Sequence, residues 1–370
     1  MSIITHVSQK DVKYWVALSL FLKFGPRRFQ RLREYFPDMQ AAFCADAAGL
    51  RNAGISQALA AEFIARRETI NPDFEMEKLA REQIGVVTLA DSAYPALLKE
   101  IYDAPPLLYY RGSLQKNTAL CLAVVGSRKY SSYGQRVTET IAGGASEAGI
   151  SIVSGLALGI DALAHEAALA QRGATVAVLG SGINDAAIYP ATNRGLARRI
   201  IAHGGLLLSE FPYGTPAFKY HFPQRNRVIA GLCAGTLVIE ASEKSGALIT
   251  ARHALEAGRE VFAVPGDIFR INSAGTHNLI KNGAIVTTSA QDILDGLGIV
   301  NAKATVAART SLPATKIESD ITKLLRTESL HINQLARSLA LDTAAVNATL
   351  LTMELKRMVR NTGGGNYVLT

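Results

Sequence analysis

Between Leu120 and Asp161 the chain reads LCLAVVGSRKYSSYGQRVTETIAGGASEAGISIVSGLALGID. An apolar run stops at Gly126, a polar loop and an amphipathic helical stretch follow, and a second apolar run stops at Gly155. This is the order strand, loop, helix, strand, loop. In such a unit the strand ends deliver backbone N–H groups and short side chains to one edge of a parallel sheet, where helix N-termini favour anions. Gly126, Ser127, Arg128 and the turn from Gly155 to Asp161 are therefore expected to converge on one phosphate-binding crevice.

Apolar runs and helical patterns go on alternating almost to residue 297. The expected strands are Leu120 to Val125, Ile152 to Ser154, Thr175 to Leu179, Leu206 to Ser209, Thr236 to Ile239, Val261 to Val264 and Ile285 to Val286. The fold class is α/β, an extended Rossmann-like, doubly wound parallel sheet over residues 116–298. Ahead of it, residues 1–73 show helical spacing of Trp15, Leu18, Leu22, Phe29, Leu32 and Phe36, which suggests a small helical domain of helix-hairpin-helix or SAM-like type. Its segment Lys23 to Leu32 places a Gly-Pro turn before Arg27, Arg28 and Arg31; a solvated basic face is the simpler account of these cations, phosphate contact the other. Residues 74–115, with Tyr94-Pro95 and Ala104-Pro105-Pro106, are expected to form an extended strap carrying no chemistry. Residues 299–315 turn to Ala, Thr, Lys and Ser and suggest a linker. Residues 316–370 give three short helices and a glycine-tipped hairpin, a winged helix whose third helix is poor in base-reading side chains until its last turn.

With 48% hydrophobic and 19% charged residues the composition is that of a folded globular protein, and the net charge of +8 leans weakly towards a polyanionic partner. Cys44, Cys121 and Cys233 show no paired spacing and suit reduced cysteines in the cytoplasm. Neither a signal peptide nor a membrane span is expected.

Four stretches carry candidate chemistry. The first loop, Gly126-Ser127-Arg128, lacks the later glycines of a dinucleotide fingerprint; Arg128 either forks onto a phosphate or pairs with an internal carboxylate. Asp161 and His165 lie one helical turn apart, but with no third ligand in view the reading is that Asp161 pins the turn and His165 is structural, with no metal and no cofactor. Gly180-Ser181-Gly182 offers a small anion site. Most telling is FPYGTPAFKYHFPQRNR, Phe211 to Arg227, taken as a loop, which sets five aromatic rings among Lys219, His221, Arg225 and Arg227. Single-stranded nucleic acid is held that way, with cations for the backbone and rings for the bases; an aromatic mini-core explains the rings but not their basic neighbours.

VGSRKYSSYG, SGLALGIDALAH, LGSGI, HFPQRNRVIAG, EASEKSGALITARHALEAGREVFAVPG and SAGTHNLIKNGA, in this order, resemble the motifs of the DNA-processing protein A (DprA/Smf) family. The resemblance implies a non-enzymatic, cytoplasmic homodimer that binds and protects single-stranded DNA and loads the RecA recombinase during natural transformation. By position it implies that Arg128 and Lys219 contact phosphate and that Phe222 stacks on or wedges against a base. Gly126, Ser127, Ser181, Arg225, Asn226 and Arg227 fall in matching motifs around that pocket. The alternative is a Rossmann enzyme like the lysine-decarboxylase-like nucleotide phosphoribohydrolases. Their PGGxGT motif with a following catalytic Glu has its nearest counterpart in Cys233-Ala234-Gly235-Thr236 and Glu240, without the PGG.

Overall fold

The structure, a computed structural model, describes residues 9–299, 316–325, 329–339, 341–355 and 358–369. The chain divides into two compact units, Met1–Ile299 and Val300–Thr370.

The first unit is built on a nine-stranded sheet: β1 Gly85–Thr88, β2 Leu107–Gly112, β3 Cys121–Val125, β4 Ser151–Ser154, β5 Thr175–Leu179, β6 Leu206–Ser209, β7 Gly235–Val238, β8 Glu260–Ala263 and β9 Ile285–Val286. Their order is β1-β2-β6-β5-β4-β3-β7-β8-β9, and β3 to β9 are all parallel. Helices cover both faces, and β3, β4, β5, β6 and β7 are buried along their whole length, as a parallel sheet requires. The winding runs outward from β3 through β4 and β5 to β6, then resumes at β7 on the other side of β3. A crevice therefore opens beyond the carboxyl ends of β3 and β7, the switch point where open α/β sheets bind ligands.

The strap is extended and packs on the core, and it also pairs: β1, ahead of its prolines, and β2, just beyond them, join the sheet antiparallel, Tyr109 of β2 lying opposite Ser209 of β6. Pro105 and Pro106 stop just short of the run Leu107–Tyr110, so no ladder hydrogen bond is lost and the apolar run is free to pair. Six helices between Gln9 and Arg81 cover one face of this extension. They share a single core with the sheet, in which Trp15, Phe29 and Phe63 join Leu107, Tyr109, Leu179 and Leu207. One hydroxyl pair crosses that core, Ser19 Oγ with Tyr109 Oη at 2.7 Å.

The second unit has helices Lys316–Leu325, Ile332–Leu339 and Thr343–Leu355, and a sheet of β10 Leu330–His331, β12 Asn366–Leu369 and β11 Val359–Gly363 in that order. Ile321, Leu335, Val346, Leu350 and Tyr367 form its core. This is the expected winged helix. Residues 300–315 of the expected linker, and Lys356 and Arg357 of the expected third helix, lie outside the described residues.

Candidate nucleic-acid interface

The loop after β3 is fixed from two sides. On one, Ile160 N–H donates to the Ser127 carbonyl at 3.2 Å, and the preceding Gly159 holds φ at +88° against the backbone of Ser127 and Arg128, where a Cβ would collide. On the other, Ser131 caps the helix Ser132–Glu147, and the buried Glu240 at the end of β7 accepts both the Ser131 N–H, at 2.9 Å, and its hydroxyl proton. Ser127 Oγ closes the loop on itself by accepting from Lys129 N–H at 3.0 Å and donating to the Lys129 carbonyl at 2.8 Å. What this leaves outward is Arg128. It is exposed, makes no ion pair among the described residues, and holds its guanidinium carbon 5.7 Å from the centroid of the Phe222 ring. The second reading of Arg128, an internal carboxylate partner, therefore has no partner to supply it among those residues.

Phe211 to Arg227 is not one loop. A helix begins at His221 and runs to Leu232. Pro223 falls in its first turn, where the missing N–H has no intrahelical acceptor to lose. The rings divide accordingly. Phe211 is buried and stacks on His221 at 4.0 Å, and Tyr213 donates its hydroxyl to Glu82, so these form the mini-core. Phe218 and Tyr220 are exposed and parallel, with centroids 5.5 Å apart. Phe222, half-buried, faces the Arg128 loop; it fits because Gly180 has no Cβ, which would sit 2.8 Å from the ring. Lys219 is exposed, with no ion pair among the described residues.

Arg225 plays a different part. It is buried and its guanidinium donates to the carbonyls of Gly155, at 2.7 Å, and Val178, joining the ends of β4 and β5. Burial lowers its pKa to about 10, with Asp161 opposing that shift. Asp161, itself raised by burial and held down chiefly by Arg225, accepts the Gly155 N–H at 3.1 Å and so pins the turn, as expected. Asn226 reaches across to the Gly246 carbonyl at 3.3 Å.

These pieces meet in a cleft of about 700 Å³ at the switch point. Gly126, Ser127, Arg128, Lys219, Phe222, Arg225 and Asn226 all line it. Ser181 and Arg227 do not. Ser181 is buried, its hydroxyl turned to the Gly182 carbonyl, and the Gly182 N–H is taken by the Thr215 carbonyl, which leaves that turn little to offer an anion. Arg227 is buried on the far side of the helix, pairing with Glu210 and Asp103. The structure adds residues that no sequence pattern marked. Tyr189 sets its ring 5.7 Å from Phe222, and Asn272, at the start of the helix Ile271–Lys281, donates to the Lys129 carbonyl at 2.9 Å. Tyr189 sits in a stretch with no alternation and no motif, so its position emerges only from the fold.

His165 is structural. Thr175 gives its hydroxyl proton to the Ile152 carbonyl, so His165 Nδ1 carries the proton and donates to Thr175 Oγ1 at 2.7 Å. Burial, with Arg225 adding to it, lowers the ring's pKa from 6.5 to about 3. The fold thus favours the neutral ring: this contribution to stability is complete above pH 6.5 and is lost as pH falls from there towards 3. The loss runs at up to about 1.4 kcal/mol per pH unit. Denaturant unfolding of wild type and His165→Gln across that range should give a shallower pH dependence for the variant, whatever its stability at neutral pH. Parallel curves would place the acid sensitivity elsewhere.

Comparison with known proteins identifies the family. Residues 85–298 match the family model described as DNA recombination-mediator protein A, and residues 305–365 that of the DprA winged helix domain. Protein Smf of Escherichia coli K12 is 48% identical over 209 residues, 56% of this chain and 55% of that one, so the chain spans about half the length of this relative. The X-ray structure of DNA processing protein A from Streptococcus pneumoniae superposes with a TM-score of 0.67 at 37% identity, over 79% of this chain and 98% of that one. DNA processing protein A of Helicobacter pylori, solved for its single-stranded DNA binding mode, gives 0.52 at 29% identity, over 58% and 95%. With the match to residues 85–298 extending across the whole switch-point cleft and more than half of its length, the chain belongs to the DNA recombination-mediator protein A family.

Proposed function

We propose that this protein binds single-stranded DNA in the switch-point cleft, protects it, and passes it to a RecA-type recombinase during transformation, acting as a cytoplasmic homodimer. The observation that carries the DNA part is the outward Arg128, without an ion pair among the described residues and poised over the Phe222 ring, with Lys219 on the same cleft. A cation free of carboxylates beside a half-exposed ring is what a strand needs, phosphate on one and base on the other. The H. pylori relative, whose structure concerns single-stranded DNA binding, supports the same ligand. The recombinase and the dimer rest on family membership. The phosphoribohydrolase reading is weakened by Glu240, whose carboxylate is occupied by Ser131 and by the cap it helps to form.

Arg128, Lys219 and Phe222 are assigned as direct contacts, with Gly126, Ser127 and Asn226 shaping the cleft floor. Arg225 and Arg227 are positioning residues, and Ser181 is assigned no contact. Matched single- and double-stranded oligonucleotides in a mobility-shift titration should show preference for the single strand, because the rings need base faces that a duplex hides. Equal affinity for the two at physiological salt would overturn the assignment.

A further inference from the structure

A second cleft, of about 200 Å³, lies where the N-terminal helices meet the strap, and Trp15, Arg27, Gln30, Arg33, Lys99 and Tyr102 are among its lining residues. The charges around it are sorted. The strap carries two carboxylates beside the cleft residues, but Glu100 is taken by Arg259 at 2.6 Å and Asp103 by Arg227 at 3.2 Å. On the helix Pro26–Tyr35, Arg28 donates to the Lys23 carbonyl and Arg31 to the Gly54 carbonyl, so these two are engaged locally. Arg27, Arg33 and Lys99 are left exposed, with no ion pair among the described residues, and no acidic residue lines the cleft. Arg27 sits 4.8 Å from the centroid of the Tyr102 ring, and Tyr102 is 82% exposed. Tyr102 buries almost nothing, so its ring face is free to meet a ligand beside these cations.

We infer that this cleft is a second contact for single-stranded nucleic acid, Arg33 and Lys99 meeting phosphates and Tyr102, steadied by Arg27, receiving a base. The volume argues for a polymer: pockets that hold whole small molecules run from about 300 Å³ upward, whereas this one suits a single sugar-phosphate or base of a strand passing over it. Three cations and an open ring are the pairing that sequence-tolerant single-strand sites use. The choice of ligand rests on the single-strand reading of the central cleft; the cluster itself does not. The inference regroups the cations of the N-terminal helices: Arg27 parts from Arg28 and Arg31 and joins Arg33 and a lysine from the strap.

Trp15 is the only tryptophan in the sequence, and because it lines this cleft its fluorescence reports occupancy there and not at the switch point. The test uses the full chain, a short oligo-dT whose binding is lost in Arg128→Ala, and a longer one. In wild type the longer strand should change Trp15 emission. Arg33→Glu with Lys99→Glu should remove that change and weaken the longer strand about tenfold, with a salt slope shallower by roughly 1.4 for two lost phosphates. The short strand should bind as before. Tyr102→Ala, a single exposed substitution that spares the fold, should reduce the emission change with the slope unaltered. Equal loss for both lengths, or wild-type affinity for the longer strand in the double variant, would overturn the inference. A wild type that binds no oligo-dT at all would sink the central reading as well, whereas a loss with Arg128→Ala beside neutral variants here would sink this inference alone.

Discussion

Arg225→Ala is expected to destabilise the protein by about 2–5 kcal/mol, because each buried carbonyl left without its donor costs roughly 1–3 kcal/mol and a nearby positive charge is lost to Asp161. The substitution strips the Gly155 and Val178 carbonyls of their donor and leaves Asp161 buried without its counter-charge. Arg225→Lys restores charge without the fork that bridges two strands, so it should recover only part of the loss. Denaturant unfolding followed by circular dichroism measures both. If Arg225→Ala kept the wild-type midpoint while losing DNA, the residue would be a ligand contact, and the positioning role given to it here would be wrong.

The largest effects on binding should come from Arg128→Ala, Lys219→Ala and Phe222→Ala, and salt should separate them. Each cation that neutralises a phosphate releases counterions, so its removal should flatten the slope of log affinity against log salt by roughly 0.7 on a single strand. Removing the ring should instead cost about 1–3 kcal/mol and leave the slope nearly as it was. Affinities for poly-dT measured across a salt series in wild type and the three variants decide this. Lines for the two cation variants parallel to wild type would mean that neither side chain meets a phosphate.

The seven parallel strands are legible because each is an apolar run between glycines and helical patterns, and every expected end falls within one residue of the one observed. The strap was legible only as extended chain, since two prolines hide the fact that the leucines and tyrosines beyond them are free to pair. In Phe211 to Arg227 the aromatic and basic content was legible but the conformation was not, because Pro223 reads as a breaker although a first helical turn accepts it. Residues two apart on a helix point to nearly opposite sides, so the start of a helix at His221 already separates Arg225 from Arg227, one turned to the sheet ends and the other to the strap. Charge can be read from sequence; the direction in which it is spent requires the backbone. Arg128 is the converse case: its loop was anticipated, but its freedom depends on Ser131 and not Arg128 engaging Glu240, a contact between residues 109 apart in the chain.

The single core shared by the N-terminal helices and the sheet changes how the protein can be taken apart. Cutting at the start of the family match, residue 85, would not shed an appendage. It would uncover Leu107, Tyr109 and Leu207 on one sheet face, with Leu156 of the turn after β4, and strand Tyr109 without the Ser19 hydroxyl. A fragment of that kind would announce itself by aggregation, whatever it does to nucleic acid. The helices are closer to a bolted cover than to a detachable module, and questions about what they touch have to be put one exposed side chain at a time.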